Sequence, residues 1–136
     1  PIIAAAEAPG RLRGVAGGHE LNAEQIAAGT LALASEDRTV IIQGVAGAGK
    51  TTIISAIASV AHEEGREVIG LAFANKMVSD LRNDTTIRGV DGEVVKQGIE
   101  ARTVSSFINE HLRSALSGEG ERFEVSREAL KGKVLV

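Results

Sequence analysis

At 136 residues, with 43% hydrophobic and 24% charged residues, the chain has the length and composition of one folded domain rather than two, and wholesale disorder is excluded. The absence of cysteine excludes a disulfide scaffold and a thiolate zinc site, and no apolar run reaches the ~18–20 residues needed to span a bilayer. A net charge of −3 and only three aromatic residues, all Phe, argue against a generally basic nucleic-acid binder with a stacking platform.

In chain order, residues 1–20 read as a linker, small and glycine-rich, without the continuous apolar core of a signal peptide. Asn22 and Gln25 stand at capping-box spacing, with Leu21 and Ile26 placed as a hydrophobic staple. A helix is therefore predicted over 23–33, followed by a turn at Ser35 to Arg38. Thr39 to Gly44 is a β-branched apolar run and reads as a buried strand. A second helix is predicted from Lys50 to Glu64, with Ile53, Ile57 and Val60 on its apolar face. Ser55, Ser59, His62 and Glu63 form its polar stripe, and Gly65 ends it.

Val68 to Phe73 reads as another buried strand, and Asn75 to Asn83 as a short helix with Met77, Val78 and Leu81 inward. Asp91-Gly92 is a hairpin signal within an irregular insertion over 84–98. A short strand over 99–102 leads to a helix over 104–117, with Thr103 as its N-cap and Val104, Phe107, Ile108, Leu112, Ala115 and Leu116 in helical period. Ser126 to Lys131 reads as a helical turn, and Lys133 to Val136 opens a strand. Alternating strands and helices predict an α/β domain with a mainly parallel sheet.

The sharpest motif is Gly44-Val45-Ala46-Gly47-Ala48-Gly49-Lys50-Thr51, which fits G-x-x-x-x-G-K-[ST] without mismatch. Glycines let successive backbone N–H groups converge on an anion, and the following helix adds its N-terminal amides. Lys50 is placed to meet β- and γ-phosphates, and Thr51 to offer its hydroxyl to Mg²⁺. The expected ligand is a nucleoside triphosphate. Other candidates have simpler readings by spacing alone. Gln25 completes a capping box, Lys76 is a solvated helix residue, Thr103 an N-cap and Ser106 an exposed first-turn residue. His19, His62 and His111 are too scattered for a metal site.

The ordered set "LNAEQIAA", "IIQGVAGAGKTT", "VIGLAFANKMVSDL" and "GIEARTVSSFI" resembles the helicase part of conjugative relaxase–helicases of the TraI/TraA type, in the RecD-like branch of superfamily 1. The likeness covers residues 21–136. It implies a RecA-like P-loop NTPase fold, three-layered, with ATP and Mg²⁺ as ligands and Lys50 and Thr51 as catalytic residues. Gln25 would read adenine, and Gly44, Gly47, Ala48, Gly49, Lys50, Thr51 and Thr52 would hold the nucleotide. Asn75, Lys76, Thr103 and Ser106 would touch single-stranded DNA. Phe73-Ala74 stands where relatives carry Pro-Thr or similar residues, a departure that bears on the hydroxyl contact of that motif.

By the same resemblance, Val134 to Val136 is the strand that runs into an Asp-Glu pair, and a second RecA-like lobe supplies arginines to the γ-phosphate. The expectation is thus the first part of an ATP-binding lobe, cut before that acidic pair and inactive alone, from a bacterial cytoplasmic protein. A P-loop kinase and a non-catalytic P-loop DNA-binding or interaction module are the competing readings. A kinase would need acceptor-binding residues and an Arg-rich lid.

Overall fold

The computed structural model describes residues 1–15, 20–44, 49–88, 90–96, 98–112 and 133–136. The first of these stretches corrects the linker expected over 1–20. Ala8–Val15 forms helix α1, and Ala8 and Leu12 are fully buried. Ile2 and Ile3 donate their backbone N–H groups to Leu33 O at 2.7 and 3.2 Å. The physical reason lies in spacing: Ala8 and Leu12 are four residues apart and so share one helix face, a signal hidden by the high Ala and Gly content around them.

Helix α2 (Ala23–Ala34) starts on the expected cap. Asn22 Oδ1 accepts from Gln25 N at 2.8 Å, and Gln25 Oε1 accepts from Asn22 N at 2.9 Å. Ile26, Gly29 and Leu33 are its buried residues. Gly29 permits a close crossing: a Cβ there would lie 2.7 Å from Leu12 Cδ1 and 2.9 Å from Ile53 Cδ1.

Ile53 belongs to helix α3 (Lys50–Glu63), which is buried at Ile53 and continuously from Ala56 to Ala61. Ser59 is therefore in the interior, 4% exposed, and not on the polar stripe expected for it. Helix α3 ends in a Schellman arrangement. Gly65 takes φ 76°, its N–H reaches His62 O at 2.9 Å, and Arg66 N reaches Ala61 O at 2.9 Å. Two carboxylates stand at this electronegative helix end, where the dipole disfavours them. Arg11 of α1 answers both, 2.9 Å from Glu63 and 2.9 Å from Glu64, which holds its guanidinium above the usual arginine range.

The strand expected over 39–44 is a second correction: these residues form no sheet ladder. Ile41 is 79% exposed, while Ile42 packs on the cluster that α1, α2 and α3 share. A β-branched run favours a strand only when a neighbouring strand is there to receive it.

The sheet is built around β1 (Val68–Ala72). Helix α4 (Asn75–Thr85) follows, then a small antiparallel hairpin of β2 (Ile87–Arg88) and β3 (Val94–Lys96), with Gly92 at φ 82° in the expected turn. β4 (Glu100–Thr103) pairs parallel with β1 in the register Gly70↔Ala101 and Ala72↔Thr103. Helix α5 (Val104–Phe107) begins where expected but widens into a π-helical turn over Ile108–Leu112. The remainder of that helix and the turn at 126–131 lie outside the described residues. β5 (Val134–Leu135) pairs parallel with the other edge of β1, giving the order β4-β1-β5.

Gly70 and Ala72 share the face of β1 that receives α4. A Cβ on Gly70 would lie 2.5 Å from Leu81 Cδ2, and Ala72, Val78 and Ala101 are buried together with Leu81 beside them. Met77, expected inward, is 51% exposed, because the buried stripe of α4 runs through Val78 and Leu81. Ile69 points to the opposite face and is 4% exposed, so β1 is covered on both sides. This is an α/β architecture with a parallel sheet, as the alternation of elements implies.

Candidate nucleotide site and the adjoining strand ends

Helix α3 starts differently from α2. Its N-cap is Gly49, at φ 77°, a conformation natural to glycine. No side chain caps the helix. The first helical hydrogen bond runs from Ile53 N to Gly49 O at 3.2 Å, so the amides of Lys50, Thr51 and Thr52 come before the first intrahelical donor. An uncapped N-terminus of a 14-residue helix presents amides that no intrahelical acceptor uses, together with the positive end of the dipole. Lys50 adds a full charge at the same place. Its Nζ is exposed and donates to Gly44 O at 2.7 Å, spanning the glycine-rich segment from one end to the other. Thr51 and Thr52 are half-buried in the first turn. Gly47 and Ala48 lie outside the described residues.

Gln25 is the link between this helix end and α2. While Oε1 accepts from Asn22 N, Nε2 donates to Gly49 O at 3.2 Å. The capping role read for Gln25 is present, and the other polar atom of the same side chain reaches the residue before Lys50.

The residues expected to touch DNA gather at one edge of the sheet. The pairing Ala72↔Thr103 brings the ends of β1 and β4 level, so Asn75 and Lys76 leave from the same edge as Thr103 and Ser106. The short connection 64–67 reverses the chain between α3 and β1, which turns the start of α3 toward this edge as well. Asn75 and Lys76 are exposed, with Lys76 Nζ 3.1 Å from Asp80 one turn on. Thr103 Oγ1 accepts from Ser106 N at 3.1 Å, the capping role read from the sequence. Ser106 Oγ accepts from Arg102 at 3.0 Å, and Arg102 also pairs with Glu110.

Sequence reasoning missed two residues here. Arg102 is a cation at the end of β4; its alternation with buried Ala101 was the available signal. Phe73 is 86% exposed immediately beyond β1, where an apolar run was expected to carry it inward. Among the described residues no group of acidic or histidine side chains forms a metal site, and no helix is long and apolar enough to cross a membrane.

A family described as an AAA domain matches residues 20–135. The chain belongs to that family. Two curated relatives are both multifunctional conjugation protein TraI. One, from Escherichia coli strain K12, is 30% identical over 108 residues, 76% of this chain and 5% of the relative. The other, from Escherichia coli, is 30% identical over 101 residues, 71% of this chain and 5% of the relative. The chain therefore spans a small part of the curated relatives it matches. No solved structure gives a significant match. The AAA domain is a TraI-like, RecA-like, helicase-type module that binds nucleotide, as the resemblance implied.

Proposed function

We propose that this AAA domain is the ATP-binding lobe of a DNA helicase in a conjugative relaxase, coupling ATP binding and hydrolysis to movement along single-stranded DNA. The observation that carries this reading is the start of α3: an uncapped helix end with glycine at its N-cap and Lys50 lying across the segment from 44 to 50. That arrangement suits a polyanion, because the donors and the charge converge there before any ligand arrives.

In this proposal Lys50 exchanges Gly44 O for the β- and γ-phosphates. The amides from Gly49 to Thr52 hold the remaining phosphate oxygens, and the Thr51 hydroxyl holds Mg²⁺, which neutralises charge on the phosphates when bound. Gly44, Gly47 and Ala48 complete the loop. Asn75, Lys76, Thr103 and Ser106 face single-stranded DNA at the strand ends, with Phe73 and Arg102 beside them. In phosphoryl transfer the rate comes from positioning and electrostatics, including a carboxylate near the metal and arginines from a partner lobe. Among the described residues no group of three or more acidic or histidine side chains is placed to hold a metal ion. In this reading the 136 residues bind nucleotide but turn it over little by themselves. A longer polypeptide carrying a second RecA-like lobe acts as the DNA-stimulated, cytoplasmic motor.

Isothermal titration calorimetry with ATP and Mg²⁺ tests the site. Lys50→Ala is expected to weaken binding by about tenfold or more, since a charge-assisted hydrogen bond contributes about 1.5–3 kcal/mol. Unchanged affinity would remove Lys50 from this role. A phosphate-release assay tests the second half: robust turnover by the 136 residues alone would favour a self-contained P-loop enzyme.

A further inference from the structure

The amide of Gln25 is shared between two helix starts. Its Oε1 accepts from the N-cap residue of α2, Asn22, at 2.9 Å. Its Nε2 donates at 3.2 Å to the carbonyl of Gly49, the N-cap residue of α3. That carbonyl also receives Ile53 N–H at 3.2 Å, the bond that opens the helix. The fit is close on the glycine side, where a Cβ on Gly49 would lie 2.3 Å from Gln25 Nε2. One planar amide thus ties the capped helix end to the uncapped one.

We propose that Gln25 is a positioning residue for the phosphate loop, setting the direction of the Gly49 carbonyl and with it the first-turn amides of α3. This deepens the nucleotide-binding reading above and rests on it. A side chain that fixes the loop acts on every polyphosphate alike. One that reads adenine acts on adenine nucleotides alone. The two polar atoms of Gln25 are engaged within the chain, and the contact at Gly49 is with the loop that would hold phosphates. Asn22 offers the internal comparison, because it shares the cap with Gln25 while the hydrogen bond to Gly49 comes from Gln25.

The experiment compares the wild-type chain with Gln25→Met, which keeps length and removes both hydrogen bonds, and with Asn22→Ala, which weakens the cap alone. Amide hydrogen exchange without ligand is the first readout. Gln25→Met should accelerate exchange at Ile53 by about three- to tenfold, the factor carried by one net hydrogen bond, and Asn22→Ala should leave Ile53 unchanged. Equal rates at Ile53 in wild type and Gln25→Met would overturn the proposal. So would equal acceleration by both variants, since the cap alone would then account for it.

The second readout is affinity for ATP, GTP and inorganic tripolyphosphate. Gln25→Met should weaken all three by the same few-fold factor, while Asn22→Ala changes none by more than about twofold. Loss confined to ATP would show adenine reading and overturn the proposal, as would undiminished binding of all three. If the wild-type chain binds none of the three probes, the nucleotide reading fails, and the exchange at Ile53 still decides whether Gln25 fixes the helix start.

Discussion

Thr30 carries a hydroxyl that is out of reach of water and has no hydrogen-bond partner among the described residues. A buried hydroxyl without a partner costs about 1–3 kcal/mol in lost hydration, whereas a methyl group of the same shape costs nothing comparable. Thr30→Val keeps the branching and the volume. It is expected to stabilise the fold by about 1 kcal/mol, read as a higher urea midpoint at unchanged slope. A lower midpoint would show that the hydroxyl is satisfied. The same logic of exclusive contacts applies at Gly98, where a Cβ would lie 2.1 Å from the backbone oxygen of Arg82. Backbone cannot yield as a side-chain tip can, so Gly98→Ala should cost more stability than an alanine on an exposed loop. A midpoint equal to wild type would count against that close approach.

The helices show where local chemistry suffices and where it does not. The start of α2 was legible because a capping box is written within four residues, and the Gly65 ending of α3 because a left-handed glycine follows an apolar stripe. The parallel strands β1 and β4 and the Gly92 hairpin were legible for similar reasons. Helix α1 was not, since its value lies in what it meets: Leu12 against Gly29 and Ile53, residues far away in the chain. Nor was the fate of residues 39–44, whose composition favours a strand but which no strand receives. At the candidate site the glycine-rich motif was plain, while the contact of Gln25 with Gly49 joins residues 24 apart and needed the fold to reveal it. The three-helix crossing supplies a prediction at this scale. Gly29→Ala gains up to about 1 kcal/mol of helix propensity, yet must push aside Leu12, which is fully buried, so a net loss of about 1–2 kcal/mol is expected. Thermal unfolding checks it, and a stabilised variant would show that the crossing has slack.

For the molecule as a whole, the docking of β5 is a point at which stability responds to pH. Its ladder consists of Val134 N to Glu67 O at 2.8 Å, Val136 N to Ile69 O at 2.9 Å and Leu71 N to Val136 O at 2.8 Å. Beside it Lys133 Nζ lies 2.8 Å from Glu67. The hydrogen bond and charge of Lys133 hold the Glu67 carboxyl below its ordinary value of 4.5, and Glu67 holds Lys133 above 10.5. For Glu67 the lowered value means that its contribution is present above pH 4.5 and is lost as pH falls through the folded value. For Lys133 the raised value means a contribution present below pH 10.5 and lost as pH rises above it. The stability difference between wild type and Lys133→Met should therefore be level between these limits and close at both extremes. Both groups are solvent-facing, so high salt should shrink it as well. A difference that persists in denaturation curves with Glu67 replaced by Gln would assign the loss to packing of the lysine stem.

The burial of α3 from Ala56 to Ala61, set against its uncapped first turn, divides the helix into two regimes of opening. Amides in the middle can reach solvent only when the surrounding helices separate, so their exchange reports the stability of the entire fold. Amides at Lys50, Thr51 and Thr52 precede the intrahelical bonds and exchange without any such separation. An anion seated on the first turn would therefore slow these three amides selectively, and the middle would slow only by as much as the ligand stabilises the fold. One helix thus carries its own internal reference: the ratio of the two rates separates occupancy of the loop from a general tightening of the protein.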